Sequence, residues 1–389
     1  MPPGNEARRR LRLGMIGGGP GSFIGSVHRM AARLDDQYEL VCGAFSPDET
    51  RAREMGRQTF LDPARVHLDW HEMLRGEADR GDRPDVIAVV TPNHLHHEQA
   101  KACLEAGFHV ICDKPMTTTW ADADDLARTV VRSGRLFALT HNYSAYPQIR
   151  LARAMIEAGE LGALRLVEIE YAQEWAATAV ETAGNRRAEW KTDPARAGAG
   201  GALGDIGTHA YQLACFVTGQ TADSLLADLT SFVPGRRLDD NVHLLLRYDS
   251  GLRGMVWASQ VAIGSKNGLR FRLIGNKGSL AWKQEQPNQL SFTKLGEPPR
   301  RLERQAASIA AAASRLPAGH PEGFIEAFGR LYADFAEQIR ARLEQRPAKP
   351  EALLVPTVED GCEGVRFVLG AVKSSRQGGV WLARGDWTG

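Results

Sequence analysis

The chain has 389 residues, more than one ordinary hydrophobic core holds, so two domains are expected. Its charges nearly balance at a formal net +1, and the basic residues are scattered, which argues against a nucleic-acid binder and a polybasic membrane patch. No apolar run approaches the roughly 18 residues of a membrane span, and five widely spaced cysteines without a C-x-x-C read as reduced thiols of a cytoplasmic protein.

Arg8-Arg9-Arg10 is the one short basic run, and it is expected to fray ahead of the first strand. From there strand and helix alternate: "LRLGMIG" (11–17) as a strand, Ile24 to Leu34 as a helix, "ELVCGAF" (39–45) as the second strand. "DVIAVVT" (85–91) is near-continuously apolar, as in a parallel strand buried on both faces, and it counts as the fourth. A helix follows from His94 to Ala106, with Gly107 at its C-terminal stop. "FHVICD" (108–113) is the fifth strand, "ADADDLARTVVRSG" (121–134) a helix with early acid and late base, and "LFALTH" (136–141) the sixth strand. Repeated β-α units predict an open, doubly wound parallel sheet over residues 1–142.

Beyond that the rhythm changes. A helix near 147–158 precedes longer alternating segments, "LRLVEIEYAQEW", "LLADLTSFV", "NVHLLLRYD", "GLRGMVWASQV", "LRFRLIG" and "GSLAWK". The "DSG" and "GNKG" connections are hairpin chemistry, so residues 143–389 are expected to form an α/β domain with a large, mostly antiparallel open sheet. "QAASIAAAAS" (305–314) reads equally as a short helix or a loop. Two long helices, about 322–345 and 357–374, end the pattern.

"GMIGGGPGSFIG" links the first strand to the first helix and contains Gly17 and Gly19, but Ser22 stands where the third glycine of G-x-G-x-x-G belongs. Gly25 comes three residues later, so the stretch is either a dinucleotide cradle with a longer loop or a tight β-α turn. As a cradle, it would bring Ser22, Phe23 and the helix start at Ile24 to the pyrophosphate. The acid that holds the adenine ribose, about 20 residues on, is replaced by Ser46, which leaves NAD and NADP both open.

Thr91 and Asn93 lie at the carboxyl edge of the fourth strand, where open α/β sheets bind ligands. His94, His96 and His97 follow, but no partner Cys/His cluster accompanies them, so no metal is expected. Lys114 ends the fifth strand beside Asp113; it either fixes a cofactor amide and a substrate hydroxyl, or simply pairs with Asp113 or reaches solvent. Asp205 and His209 are spaced i, i+4 after a glycine run, at the start of an otherwise apolar helix. They are either a satisfied buried pair or a cavity-lining pair in which His209 takes a proton near neutral pH.

Taken together these stretches resemble the glucose–fructose oxidoreductase / inositol dehydrogenase (Gfo/Idh/MocA) family. The motifs that carry the resemblance are Gly25-Ser26-Val27-His28, Thr91-Pro92-Asn93-His94-Leu95-His96, Asp113-Lys114-Pro115, "EWKTDP" (189–194), Gly200 through His209, and the ending "PTVEDG…SSRQGGVWL". The resemblance runs from about residue 11 to the C-terminus. It implies a Rossmann domain binding NAD or NADP, a second domain whose open sheet makes a homodimer or homotetramer, and hydride transfer to or from a sugar or polyol hydroxyl. On it, Thr91, Asn93, His96 and Asp113 join the cofactor site, Lys114 positions nicotinamide and substrate oxygen, Asp205 binds substrate hydroxyls, and His209 is the general base. Asn142, Tyr143, Trp175, Lys191 and His320 are expected around the substrate.

Three departures stand out: Asp113 in place of the usual Glu, Ser46 in place of an acid, and "HNYSAYP" (141–147) without the arginine common there. Two rival readings of the same motifs are glycoside cleavage through transient oxidation, and a dinucleotide-binding sensor without turnover.

Overall fold

The computed structural model describes residues 9–182, 186–304 and 308–388. The first sheet is built from β1 (Leu11–Gly17), β2 (Tyr38–Ala44), β3 (Val86–Val90), β4 (His109–Cys112) and β5 (Phe137–Leu139). All pairs are parallel and the order is β2-β1-β3-β4-β5. β3 is buried at every residue, as its unbroken Val/Ile/Ala run requires of a strand covered on both faces. Helices α1 (Phe23–Leu34), α2 (Glu49–Gln58), α3 (Trp70–Ala78), α4 (His96–Glu105) and α5 (Trp120–Ser133) make the crossovers.

The strand count is one fewer than the sequence suggests. What would be a further strand after β2 is a single parallel bridge, Gly43 to Val66. The apolar run there is only Val66-His67-Leu68, hemmed by the short turn at Pro63–Arg65 and by α3, too little to extend a ladder. The basic N-terminal run does not simply fray: Arg9 forms a forked pair with Asp85, and Arg10 reaches Asp36. Arg8 lies outside the described residues.

The remainder contains α6 (Pro147–Glu157), β6 (Leu164–Ala172), α7 (Arg186–Lys191), α8 (Pro194–Ala197), α9 (Thr208–Thr218), β7 (Ser224–Thr230), β8 (Asn241–Arg247) and β9 (Arg253–Ser259). These are followed by β10 (Gly268–Gly275), β11 (Gly278–Lys283), β12 (Gln289–Lys294), β13 (Arg300–Glu303), α10 (Ser308–Ala313), α11 (Phe324–Leu343), α12 (Val358–Arg376) and β14 (Leu382–Ala383). Nine strands form one sheet, β13-β12-β11-β10-β6-β9-β8-β7-β14, antiparallel throughout except between β6 and β9. β12, β13 and β14 are additions to the sequence reading. The last two are edge strands of four and two residues, too short for an alternation to register. In the Ala-rich segment, 308–313 are helical and 305–307 lie outside the described residues.

One face of this sheet is apolar and covered by helices; β8 alternates buried Val242, Leu244 and Leu246 with exposed His243, Leu245 and Arg247. The C-terminal helices tie the two sheets together. α11 packs on α1, where Tyr332 Oη meets His28 Nδ1 at 2.8 Å and the Tyr332 carbonyl accepts from Tyr38 Oη. α12 packs on α5 and β7, where Ser374 Oγ accepts the Ala227 N–H. Among the described residues no helix is long and apolar enough to cross a membrane. All five cysteines are free.

Candidate active site

β1 and β3 are neighbours whose crossovers run to opposite sides, so their carboxyl ends open the crevice where such sheets bind ligands. The glycine loop leaves there. Gly17 has φ +83°, and a Cβ on it would lie 2.5 Å from the Val90 carbonyl oxygen. A Cβ on Gly19 would meet the Phe45 carbonyl at 2.7 Å, and one on Gly25 would meet Gly18 Cα at 2.5 Å. These three positions hold loop, strand ends and helix in backbone contact. Ser22 is the N-cap of α1, its Oγ accepting the Gly25 N–H at 3.1 Å. Phe23, the first helical residue, is 60% exposed, and Ile24 follows it in the first turn. The helix thus begins one residue earlier than its apolar pattern indicates. A glycine-lined turn running into a helix N-terminus suits a pyrophosphate.

At the far end of the crevice Ser46 Oγ accepts the Asp48 N–H, and Asp48 caps α2 by accepting from Arg51 N–H. Arg51 in turn donates to the Pro20 carbonyl at 2.7 Å, linking the second strand's turn to the glycine loop.

Thr91 Oγ1 bonds Gln99, and Asn93 Nδ2 donates to the Ala197 carbonyl. His94, His96 and His97 diverge: His94 is exposed, His97 pairs with Asp125, and His96 is fully buried. Both His96 ring nitrogens lie against backbone carbonyls, Thr91 at 2.7 Å and Pro115 at 2.8 Å. Its ring therefore braces the two loops that carry Asn93 and Lys114 rather than projecting into the crevice. Asp113 is buried and accepts from Lys114 N–H and Thr140 Oγ1, with His28 Nε2 4.0 Å away. Burial works against its charge, but His28 and the Lys114 charge outweigh that and hold the carboxyl far below its usual range.

The chemistry-bearing cluster joins the carboxyl edge of the first sheet to the turn before α9 and the end of β9. Lys114 follows β4 and its Nζ donates to both the carbonyl and the carboxylate of Asp205. Asp205 sits in a π-helical turn, Leu203–Gly207, immediately before α9; such turns recur at functional sites because they swing a side chain off the α-helical register. Lys191 Nζ reaches both Asp205 carboxylate oxygens at 2.6 Å, and Gln260 Nε2 donates to Oδ2 at 2.8 Å. Asp239 sets this turn in place by accepting from the N–H groups of Gly201 and Leu203. Asp205, Lys191, Asn93, Trp175, Arg236 and Gln260 line a cleft open to solvent. Trp175 presents its ring to the Lys191 ammonium at 5.8 Å.

His209, the second residue of α9 and 8% exposed, packs edge-on against Tyr143 with ring centroids 4.9 Å apart. Tyr143 Oη bonds Tyr171 Oη at 2.5 Å, and Tyr171 bonds Asn267. Burial, followed by the charges of Lys114 and His141, pushes the His209 imidazole well below its ordinary pKa, so it is neutral at physiological pH. The structure thus brings Lys114, Asp205, His209, Tyr143, Trp175 and Lys191 together. Asn142 is buried beside Tyr143, and its Nδ2 has no hydrogen-bond partner among the described residues. His320 is exposed; its N–H donates to the Pro317 carbonyl and its own carbonyl accepts from Arg304.

Sequence reasoning missed His141, Gln260, Tyr171 and Asn267. His141 alone carried a signal: it is the second residue beyond β5, at the same carboxyl edge as Lys114.

Comparison with known proteins shows the family. Residues 11–141 match the family described as "Oxidoreductase family, NAD-binding Rossmann fold", and residues 149–281 match the GFO/IDH/MocA C-terminal domain. The oxidoreductase YfiI of Bacillus subtilis (strain 168) is 35% identical over 378 residues, 96% of each chain. The chain belongs to the Gfo/Idh/MocA oxidoreductase family. An oxidoreductase from Sinorhizobium meliloti has a solved structure with 47% identity and a TM-score of 0.87, covering 96% of this chain and 100% of that one. An inositol dehydrogenase homologue from Azotobacter vinelandii, solved with NADH and myo-inositol, is 38% identical with a TM-score of 0.89 over 96% and 98% of the chains. This Gfo/Idh/MocA member therefore combines an NAD-binding Rossmann domain with the family's open antiparallel sheet.

Proposed function

We propose that this oxidoreductase transfers hydride between NAD(P) and a ring hydroxyl of a sugar or cyclic polyol. The carrying observation is the Lys114–Asp205–His209 cluster at the carboxyl edge of the NAD-binding sheet. Bound dinucleotide supplies the hydride acceptor. His209, neutral and buried, takes the hydroxyl proton. The Lys114 ammonium stabilises the oxygen as negative charge grows on it. Asp205, shared by Lys114, Lys191 and Gln260, fixes both ammonium groups and presents its oxygens to the neighbouring hydroxyls. Such alternating donors and acceptors suit a vicinal polyol, and the myo-inositol complex of the Azotobacter homologue supports that class.

On this reading residues up to 142 hold the cofactor, through Gly17, Gly19, Gly25, Ser22, Phe23 and Ile24 at the pyrophosphate, Ser46 at the ribose, and Thr91, Asn93 and Asp113 near the nicotinamide. His96 acts on that site through the loops it braces. Residues 143–389 supply the substrate wall, with Tyr143, Trp175 and Lys191 in it and Asn142 at its base. Their open sheet face joins subunits into a homodimer or homotetramer.

The test is reduction of NAD and of NADP, followed separately by the reduced-nicotinamide absorbance, over a panel of inositols, aldoses and anhydro-sugars. Turnover of a polyol supports the reading. Release of a sugar from a glycoside without net reduction favours transient oxidation instead, and tight dinucleotide binding without any turnover favours a sensor.

A further inference from the structure

His141 is 2% exposed and held rigidly at the end of β5. Its N–H donates to the Leu139 carbonyl, and its own carbonyl accepts from the Ser144 N–H and Oγ. Its Nδ1 lies 3.3 Å from Nδ1 of His209, with the two rings perpendicular at 87°. The charged and titratable groups around the pair are Lys114 after β4 with Asp113 beside it, Asp205 in the π turn, Lys191 of α7, and the phenols of Tyr143 and Tyr171. Burial first, then Lys114, pushes His141 down to about 3, so both imidazoles are neutral when the protein works.

Two neutral imidazoles meeting nitrogen to nitrogen share one proton, and which ring carries it decides what the other nitrogen can do. Were it on His141, His209 would carry its own proton on Nε2 and have no lone pair there for a hydroxyl. We propose that His141 is a positioning residue that accepts the Nδ1–H of His209 and so leaves Nε2 of His209 as the free base. This rests on the reading of His209 as the base.

The step then balances within the pair. The hydroxyl proton moves to Nε2, His209 becomes an imidazolium, and its Nδ1–H stays donated to the lone pair of His141. The orienting role that a carboxylate plays elsewhere falls here to a neutral acceptor. The nearby carboxylate, Asp205, is taken up with two lysines and Gln260. His209 is thereby held in one tautomer without being made strongly basic.

The deciding measurement is ¹H–¹⁵N correlation of histidine side chains in the full chain loaded with NAD, assigned with His141→Leu and His209→Ala. The expected spectrum has the proton on Nδ1 of His209 and on Nε2 of His141, and His209 moves to the Nε2–H tautomer in His141→Leu. A wild-type His209 protonated on Nε2, or an unchanged tautomer in His141→Leu, overturns the proposal. Kinetics with myo-inositol and NAD add a second reading. His141→Leu should lower kcat about thirtyfold with NAD affinity unchanged, and His141→Asn, whose Oδ1 takes the place of Nδ1, should recover part of it. A loss confined to KM or NAD affinity contradicts the proposal. If His209→Ala still turns over, the base assignment itself is lost; if His209→Ala is inactive while His141→Leu is not, only the role of His141 falls.

Discussion

Asp205 is the residue on which the cluster turns, because two ammonium groups and an amide converge on one carboxylate. Removing the charge leaves Lys114 and Lys191 repelling each other in a part-buried site. Asp205→Asn is therefore expected to lower kcat at least about tenfold and to lower the unfolding temperature as well. Lys114→Ala and His209→Ala are each expected to cost at least about a hundredfold in turnover while circular dichroism stays native. Unchanged turnover in either removes that residue from the mechanism. Lys114, Asp205 and His209 were legible in the sequence, since a lysine ending an apolar strand and an i, i+4 Asp/His pair opening an apolar helix are local patterns. Gln260 and Asn267 were not, because they reach the site only through the long-range register of β6, β9 and β10. His96 carries a feature its motif does not display: two carbonyl partners, one across 19 residues, hold the ring in the interior.

The glycine loop is the element most sensitive to a single added carbon. In Gly25→Ala the new Cβ falls 2.5 Å from Gly18 Cα, between two backbone segments that have no side chain to give way. Helix α1 must move off the loop, and the dissociation constant for NAD, followed by nucleotide fluorescence, is expected to rise at least about tenfold. Ser22→Ala removes only the cap and should cost about 1 kcal/mol in urea unfolding, leaving the loop path intact. The alternation of apolar runs and amphipathic helices made the first sheet readable, because each β-α unit is local. The bridge at Val66 and the short edge strands β13 and β14 were not readable, as their pairing depends on neighbours far along the chain.

Across the whole molecule, buried neutral histidines set the response to acid. His141 is pushed down to about 3 and His109 to about 4, with burial the leading cause in both. Both lie below the ordinary 6.5, so between about 6.5 and 4 the unfolded chain binds more protons than the native one. Stability is therefore present above pH 6.5 and lost on acidification, by at most about 1.4 kcal/mol per pH unit for each such histidine. The urea midpoint is expected to fall between pH 7 and pH 5, and His141→Asn should flatten that fall. The open face of the nine-stranded sheet exposes Leu166, Leu245 and Met255 among ion-paired Arg270–Glu170 and Arg272–Glu168. Sedimentation should show a dimer or tetramer, and Leu245→Glu with Met255→Glu should shift it to monomer.

The proposal that Lys114 and His209 drive hydride transfer is tested most directly by single-turnover reduction of bound dinucleotide on mixing with a polyol. The wild type is expected to develop the reduced-nicotinamide absorbance, while Lys114→Ala and His209→Ala, loaded with the same cofactor, develop it at least about a hundredfold more slowly. Equal rates in all three proteins would contradict it.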